Sequence, residues 1–289
     1  MQSALAAFSS GRVLQPVRTA LELRDREFFA VMSGYDREHS ILGTKLVTVT
    51  PSNTRRGLPT HLAAITLFDA ETGELAAVMD GRYITEVRTA AASAVSVRYL
   101  ARADASVLAI LGSGVQARSH VAALPLVRRF AEIRAWSPTA EHLAQFAQET
   151  GAHAAESAEA AVRGADVVLV ATSSVTPVME DGWVQPGTHV IAIGACRPSQ
   201  RELDPALVGR ARLVVDSKAA AVQESGDVMQ FGADHVCAEL GEIVAGVRKG
   251  RGEDREITLY KSLGLAIEDL VAADLVYRRA KGRGIEVKL

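Results

Sequence analysis

The sequence predicts an α/β protein in which a doubly wound parallel sheet is inserted into a discontinuous α+β domain. Three observations lead there. Residues 13–80 read as short β segments joined by turns, residues 106–215 alternate short apolar strands with helices, and a strand-like stretch at 257–260 precedes a helix at 264–280 that can return to the first region. The 289 residues are 48% hydrophobic and 23% charged, which is globular, and at roughly 100–200 residues per domain the length allows two ordinary domains. The expected boundaries are 1–100 with 262–289 for the outer domain and 101–261 for the inserted one.

In the outer domain, segments 42–50, 62–68 and 75–79 are strand-like. Between the last two, Asp69-Ala70-Glu71-Thr72-Gly73 is a hairpin-type turn, so antiparallel pairing is expected. From 84 to 101 the pattern becomes an alanine-rich helix with Val87, Ala90, Ala91, Ala94, Val95 and Val97 on one side. The inserted domain then runs strand 106–111, helix 115–127, strand 132–136, helices 140–150 and 158–163, and strands 166–171, 189–193 and 213–215. Short apolar strands separated by helices describe a parallel sheet covered on both faces.

Composition narrows the function classes. A net charge of −2 provides no global basic field for nucleic acid or anionic lipid, so neither is expected as a partner. Cys196 and Cys237 form no C-x-x-C pair and are too few for a disulfide framework, which fits a reducing cytoplasm. Apolar runs fall far short of the ~20 residues of a membrane span, and residues 1–11 lack the pattern of an export signal. The seven histidines show neither H-E-x-x-H nor H-x-H spacing, so no metal is expected. There is no G-x-S-x-G elbow and no P-loop. Cys196, just beyond Gly194-Ala195, reads as an inert thiol.

The strand at 105–111 runs directly into Gly112-Ser113-Gly114-Val115-Gln116-Ala117 and then into helix. This is G-x-G-x-x-A in the strand-turn-helix setting of a Rossmann-type dinucleotide site. Gly112 permits the tight turn, Gly114 lets the backbone approach a pyrophosphate, and Ala117 allows close helix–strand packing. A site for NAD often has an Asp or Glu roughly 20 residues on, at the end of the second strand. Here that place falls at Trp136-Ser137-Pro138-Thr139, with no carboxylate to repel a 2′-phosphate. Ser137 and Thr139 could donate to one, and Arg118 and Arg134 are candidate countercharges. NADP(H) is therefore favoured, with NAD(H) possible. Thr172, Gly194 and Ala195, which follow later strands, complete the cofactor-binding candidates.

Three charged residues stand in apolar surroundings. The period-2 rule places Lys45 on one strand face with Ile41, Gly43, Val47 and Val49, so it either snorkels from an edge or faces a polar pocket, and composition alone favours snorkelling. Arg88 sits near the start of the alanine-rich helix. Its planar fork suits a carboxylate, although a surface arginine is the default. Asp227 follows Gly226 in a loop after the strand at 213–215, where a doubly wound sheet places functional side chains and where a helix cap is equally ordinary.

These residues belong to a wider pattern. The landmarks are Gln15-Pro-Val-Arg18-Thr19, Gly43-Thr-Lys45, Asn53-Thr54 with Gly57-Leu-Pro-Thr60, Met79-Asp-Gly81, Arg88-Thr-Ala-Ala, the turn at 112–117, Arg201-Glu-Leu-Asp204, Glu224-Ser-Gly-Asp227 and Lys261-Ser-Leu-Gly264. With them the chain resembles the ornithine cyclodeaminase and μ-crystallin family, and most closely its ketimine reductase and alanine dehydrogenase branch, from about residue 15 to 280. The resemblance implies that Arg18, Lys45 and Arg88 gather around the carboxylate of an amino or imino acid. It matches Thr60 to a substrate-site threonine and Asp227 to the acidic residue beside the reacting carbon. It further implies that the outer domain binds substrate and builds a homodimer. Two departures stand out. The chain starts later than typical members, so an N-terminal element of the first domain is expected to be missing. The acidic ribose residue of the cyclodeaminase branch is also absent.

The leading expectation is an NAD(P)H-dependent reductase of an α-imino acid or cyclic ketimine, or an amino-acid dehydrogenase working in reverse. Arg18, Lys45, Thr60 and Arg88 would bind substrate. Asp227 and Lys45 would be catalytic, with Asp227 as counter-charge and proton donor to the imine nitrogen. The alternative is ornithine or another diamino-acid cyclodeaminase using bound NAD and releasing ammonia. A third reading, from a different class, is a non-catalytic binding protein on an old enzyme fold.

Overall fold

A computed structural model describes residues 1–24, 26–280 and 282–285. The chain divides into two compact units, one made of residues 10–88 with the chain from Leu265 onward, the other of Gln2–Ser9 and Thr89–Gly264. The division falls after Arg88, inside the helix Arg82–Leu100, where the sequence placed it at residue 100.

In the first unit the strands β1 (Val13–Leu14), β2 (Thr19–Arg24), β3 (Glu27–Asp36), β4 (Ile41–Val49), β5 (His61–Phe68) and β6 (Leu75–Asp80) form one antiparallel sheet, ordered β1-β3-β4-β5-β6 with β2 also on β3. The sequence reading left β2 and β3 unassigned. Every β2 residue is exposed, which erases the alternation that marks a half-buried strand. Along β4 the expected period-2 face appears: Ile41, Gly43, Lys45 and Val47 are buried. The helix Ala266–Arg279 covers that face, with Ala30, Met32, Val47 and Ala266 forming a common core. Gly43 permits the approach, since a Cβ there would stand 2.3 Å from the Thr66 carbonyl oxygen and 2.8 Å from Leu270 Cδ2. No side chain of Leu265 caps the helix; instead Gln15 Oε1 accepts the Ile267 N–H at 2.9 Å. Glu268 and Asp269 occupy its first turn, where carboxylates suit the helix dipole. A groove of about 750 Å³, lined by Phe29, Leu46, Leu58, Leu62, Val78 and Met79 among others, also belongs to this unit.

In the second unit β7 (Val107–Leu111), β8 (Glu132–Trp136), β9 (His153–Ala154), β10 (Val167–Val170), β11 (His189–Ala192), β12 (Arg212–Val215), β13 (Ala238–Glu239) and β14 (Thr258–Lys261) form an all-parallel sheet in the order β13-β12-β14-β11-β10-β7-β8-β9. The chain thus runs outward from β7 to β9 and returns to β10 on the other side of β7. The β7/β10 boundary is the topological switch point, where open sheets of this class bind ligands.

Two local expectations need correction. Val87 is 43% exposed, and helix residues 92–97 are all buried, so the alanine-rich helix has no single apolar side. Its small polar residues are used inside: Ser93 Oγ lies 2.8 Å from His120 Nε2, and Ser96 Oγ lies 3.0 Å from His189 Nε2. Burial pushes these histidines down to about 4 and about 3, so both stay neutral at pH 7. The sequence reading also placed no element before Val13, yet Gln2–Ser9 is helical with Ala4, Leu5 and Ala7 buried. It packs on the helix Leu240–Val244 through Gly241, where a Cβ would meet the Leu5 carbonyl oxygen at 2.0 Å. Among the described residues no helix is long and apolar enough to cross a membrane.

Candidate active site

The first unit concentrates charge in its interior. Lys45 is 2% exposed and Arg88 is 6% exposed, against 0% for Glu268 and Asp269. Lys45 Nζ donates to Asp269 Oδ2 at 2.5 Å, Arg88 Nε donates to Asp269 Oδ1 at 2.8 Å, and Arg88 Nη1 donates to Glu268 Oε2 at 2.6 Å. One carboxylate therefore joins the two cations. Snorkelling, the composition-based expectation for Lys45, does not occur, because the covering helix supplies an anion directly over the strand. Burial drives the Lys45 pKa down to about 8; the Asp269 carboxylate opposes that shift, and the positive charges of Arg88 and Arg18 add to it. Burial also acts to lower Arg88, but Asp269 and Glu268 outweigh it and hold the guanidinium above its ordinary value.

Of the other substrate candidates, Arg18 is half-buried and near enough to act electrostatically on Lys45. Thr60 stands at the entry to β5 with Oγ1 3.3 Å from His61 Nδ1.

In the second unit the glycine turn lies at the switch point. Gly112 has φ 121°, and a Cβ there would come within 2.4 Å of the Ala171 carbonyl oxygen, so glycine is required twice over. Gly114 is different: a Cβ would meet nothing within 4 Å. It is the uncapped start of the helix Val115–Ala123, with Gly114 and Val115 exposed and Ala117 fully buried. Gln116 Oε1 is buried and accepts no hydrogen bond among the described residues. Open backbone at an uncapped helix N-terminus beside an unsatisfied amide suits a dinucleotide pyrophosphate.

Ser137 follows β8 and accepts a hydrogen bond from Ser113 Oγ at 2.9 Å, while Thr139 is exposed. The two candidate countercharges are otherwise engaged. Arg118 pairs with Glu149 at 2.5 Å and also donates to the Ser113 carbonyl, whereas Arg134 pairs with Glu132 at 2.8 Å.

A second buried ionic cluster lies at the ends of β10, β11 and β14. Glu202 Oε1 accepts from the Thr172 N–H and Oγ1 at 2.8 Å each, and its Oε2 accepts from the Gly194 and Ala195 N–H groups at 2.7 and 2.8 Å. A Cβ on Gly194 would sit 2.0 Å from the Thr172 carbonyl oxygen, so only glycine allows these loops to meet. Asp227 Oδ1 accepts from the Glu202 and Leu203 N–H groups at 2.9 and 3.2 Å. Lys261 Nζ stands 3.1 Å from Asp227 Oδ2 and 3.8 Å from Glu202 Oε2. The helix-cap alternative for Asp227 is therefore set aside, because its oxygen is spent on the 202–203 backbone. Cys196 is half-buried with Sγ 3.3 Å from the Ile193 carbonyl oxygen.

Sequence reasoning missed Asp269 and Glu268 altogether and gave Glu202 and Lys261, which lie within the landmarks, no role. A signal existed for Lys261, which ends an otherwise uncharged central strand, and for the Glu268-Asp269 pair at the head of a helix that must bury a face.

Together these features define a two-unit α/β protein with a dinucleotide-type turn in one unit and a buried cation pair, suited to a small carboxylate, in the other. The chain belongs to the ornithine cyclodeaminase/mu-crystallin family, whose sequence model matches residues 1–284. It is 44% identical over 283 residues to the ketimine reductase mu-crystallin of Rattus norvegicus, covering 96% of this chain and 90% of that protein. Its fold matches the solved structure of Thermococcus litoralis Delta(1)-pyrroline-2-carboxylate reductase in complex with NADH and L-proline, with TM-score 0.94 and 38% identity over 100% of this chain and 93% of that one. It also matches an archaeal alanine dehydrogenase dimer with bound NAD, with TM-score 0.93 and 34% identity over 100% and 92% of the two chains.

Asp269→Asn is expected to cost roughly 3–5 kcal/mol, because it leaves two buried cations short of their shared anion. Denaturant unfolding checks this, and an unchanged midpoint would show that Asp269 does not hold the pair.

Proposed function

We propose that the protein is an NAD(P)H-dependent oxidoreductase that reduces a C=N bond beside a carboxylate, in an α-imino acid or cyclic ketimine, to the amino acid. The observation that carries this reading is the burial of Lys45 and Arg88 on one shared carboxylate, in a chain whose relatives include ketimine and pyrroline-2-carboxylate reductases. Lys45 gives one of its three N–H donors to Asp269, leaving others for a substrate carboxylate. Arg88, Arg18 and Thr60 complete that recognition, and a fixed carboxylate orients the adjacent C=N carbon. Asp227 supplies the counter-charge that stabilises the protonated imine nitrogen. When bound, the reduced nicotinamide supplies the hydride.

The first unit, in this reading, binds substrate and dimerises, while the second holds the cofactor through Gly112, Gly114, Val115, Gln116, Ala117, Ser137, Thr139, Thr172, Gly194 and Ala195. Cys196 and Cys237 form no disulfide with each other, which suits the reducing cytoplasm, where we place the reaction.

The deciding assay offers NADPH or NADH with pyruvate plus ammonia, pyrroline-2-carboxylate, piperideine-2-carboxylate or ornithine, and follows nicotinamide absorbance and ammonia in parallel. Cofactor oxidation by an imino acid is expected. Ammonia release from ornithine without net absorbance change would instead establish the cyclodeaminase reading, and no turnover of any substrate would leave a binding protein. Arg88→Lys should raise KM roughly tenfold or more, since one charge-assisted hydrogen bond is worth about 1.5–3 kcal/mol. Lys45 carries its charge below its pKa of about 8 and loses it above, so KM should rise as pH passes that value. A KM that stays flat would remove Lys45 from carboxylate binding.

NADP(H) remains the favoured cofactor, because β8 ends on Trp136 and is followed by Ser137, with no carboxylate there to repel a 2′-phosphate. Equilibrium binding should be tighter for NADPH than for NADH, and equal or reversed affinities would overturn the preference.

The first unit also exposes Leu21, Leu23, Leu62 and Val78, four large apolar side chains a soluble chain has reason to cover. A second copy is the proposed cover, as in the dimeric alanine dehydrogenase. Sedimentation should report a dimer that Val78→Asp weakens, and a wild-type monomer would exclude it.

A further inference from the structure

Two sequence landmarks, Arg201-Glu-Leu-Asp204 and Lys261-Ser-Leu-Gly264, are left without a role by the function proposed above. The fold brings them together at Asp227. We infer that Lys261 is a positioning residue that holds the buried Asp227 carboxylate as an aligned anion, while Glu202 straps the surrounding strand-end loops. This rests on the reading of Asp227 as the acid beside the reacting C–N centre.

Lys261 ends β14, a central strand between β11 and β12 in which all four residues are buried, and it is itself 0% exposed. Burying an ammonium costs several kcal/mol even when paired, so an aliphatic residue would serve a purely structural strand end better. The two carboxylates around it are not equivalent. Glu202 receives four hydrogen bonds on its two oxygens and has no capacity left for a ligand. Asp227 spends only Oδ1 on the backbone; its Oδ2 is buried, accepts no hydrogen bond among the described residues, and has Lys261 Nζ at 3.1 Å. That contact is at ion-pair distance, so Lys261 sets the charge at Asp227 Oδ2.

The groups that act on the pair are Glu202 and, on Lys261, Cys196. Burial raises the Glu202 pKa, but four donors on its two oxygens and Lys261 hold it as a carboxylate, so two carboxylates against one ammonium leave one net negative charge in a dry site. Such a site favours a protonated nitrogen over a neutral one. Burial works against the Lys261 charge, but Asp227 and Glu202 outweigh it and keep the lysine protonated.

The test uses the full chain with NADPH and the imino acid it reduces fastest. Asp227→Asn first identifies the acid limb of the kcat profile, as the limb that this variant loses. Lys261→Met should then lower kcat roughly 100-fold, the scale of a misplaced reacting group, with KM changed less than about threefold. It should also shift the acid limb to higher pH. Glu202→Gln removes the competing anion and should shift the limb the opposite way, to lower pH, whatever it costs in thermal stability. Should Lys261→Met fail to fold, this opposite-signed shift still decides the matter. Lys261→Arg, which keeps the charge, should restore the wild-type limb.

Opposed shifts with KM preserved support the inference, since loosened packing alone would lower stability without moving the limb in two directions. A limb unmoved in Glu202→Gln, or in a folded Lys261→Met, overturns it while Asp227 keeps its role. An Asp227→Asn variant with full kcat would instead overturn the reading of Asp227, and this inference with it.

Discussion

A charge can leave water only with a partner, and in the first unit that constraint falls on Asp269. Its two oxygens engage Lys45 from β4 and Arg88 from the helix Arg82–Leu100, residues separated from it by most of the chain. Without it Lys45 would be an unpaired buried ammonium, which would cost more than the packing returns, and Arg88 would keep only Glu268. This explains why the C-terminal helix must close onto the N-terminal sheet. Glycine at 43, the Gln15 cap on Ile267 and the acidic first turn of the helix all serve that one approach. It also leaves two cations fixed and dry, which under the proposed function spares their reorganisation when a substrate carboxylate binds.

The second unit meets the same constraint with a different balance. Glu202 and Asp227 face a single Lys261, and the strand-end loops can gather around them only because Gly194 has no side chain. At the neighbouring switch point Gly112 plays the corresponding part against Ala171, while the helix N-terminus at Gly114 stays open. Backbone N–H groups are thus left uncapped at the helix start and taken up by Glu202 at the strand-end loops.

Much of this was legible from the residues. The G-x-G-x-x-A turn between an apolar strand and a helix announced itself, because Gly112 answers a local steric demand and Gly114 keeps the helix start open. The alternation along 41–49 placed Lys45 on the buried face of β4. Local patterns were less informative where burial was uniform or absent. The exposed β2 strand shows no alternation, the helix through Ser93 and Ser96 is buried nearly all round, and Gln2–Ser9 is too short to display a period. Arg118 and Arg134 looked available for a phosphate because their partners, Glu149 and Glu132, cannot be assigned from spacing alone.

The amino-acid sequence by itself determined the α/β class and the place of the dinucleotide turn, because these follow from steric rules and residue chemistry within short windows, and its motifs carried the family resemblance that singled out the charges at 45, 88 and 227. Only the tertiary structure decided which anion answers each cation. Asp269 meets Lys45 across 224 positions of chain, and Lys261 meets Asp227 across strand-end loops. Such pairings are set by the low dielectric of a packed interior, where an ion's partner is whatever the fold brings within about 3 Å, and chain distance carries no information about that.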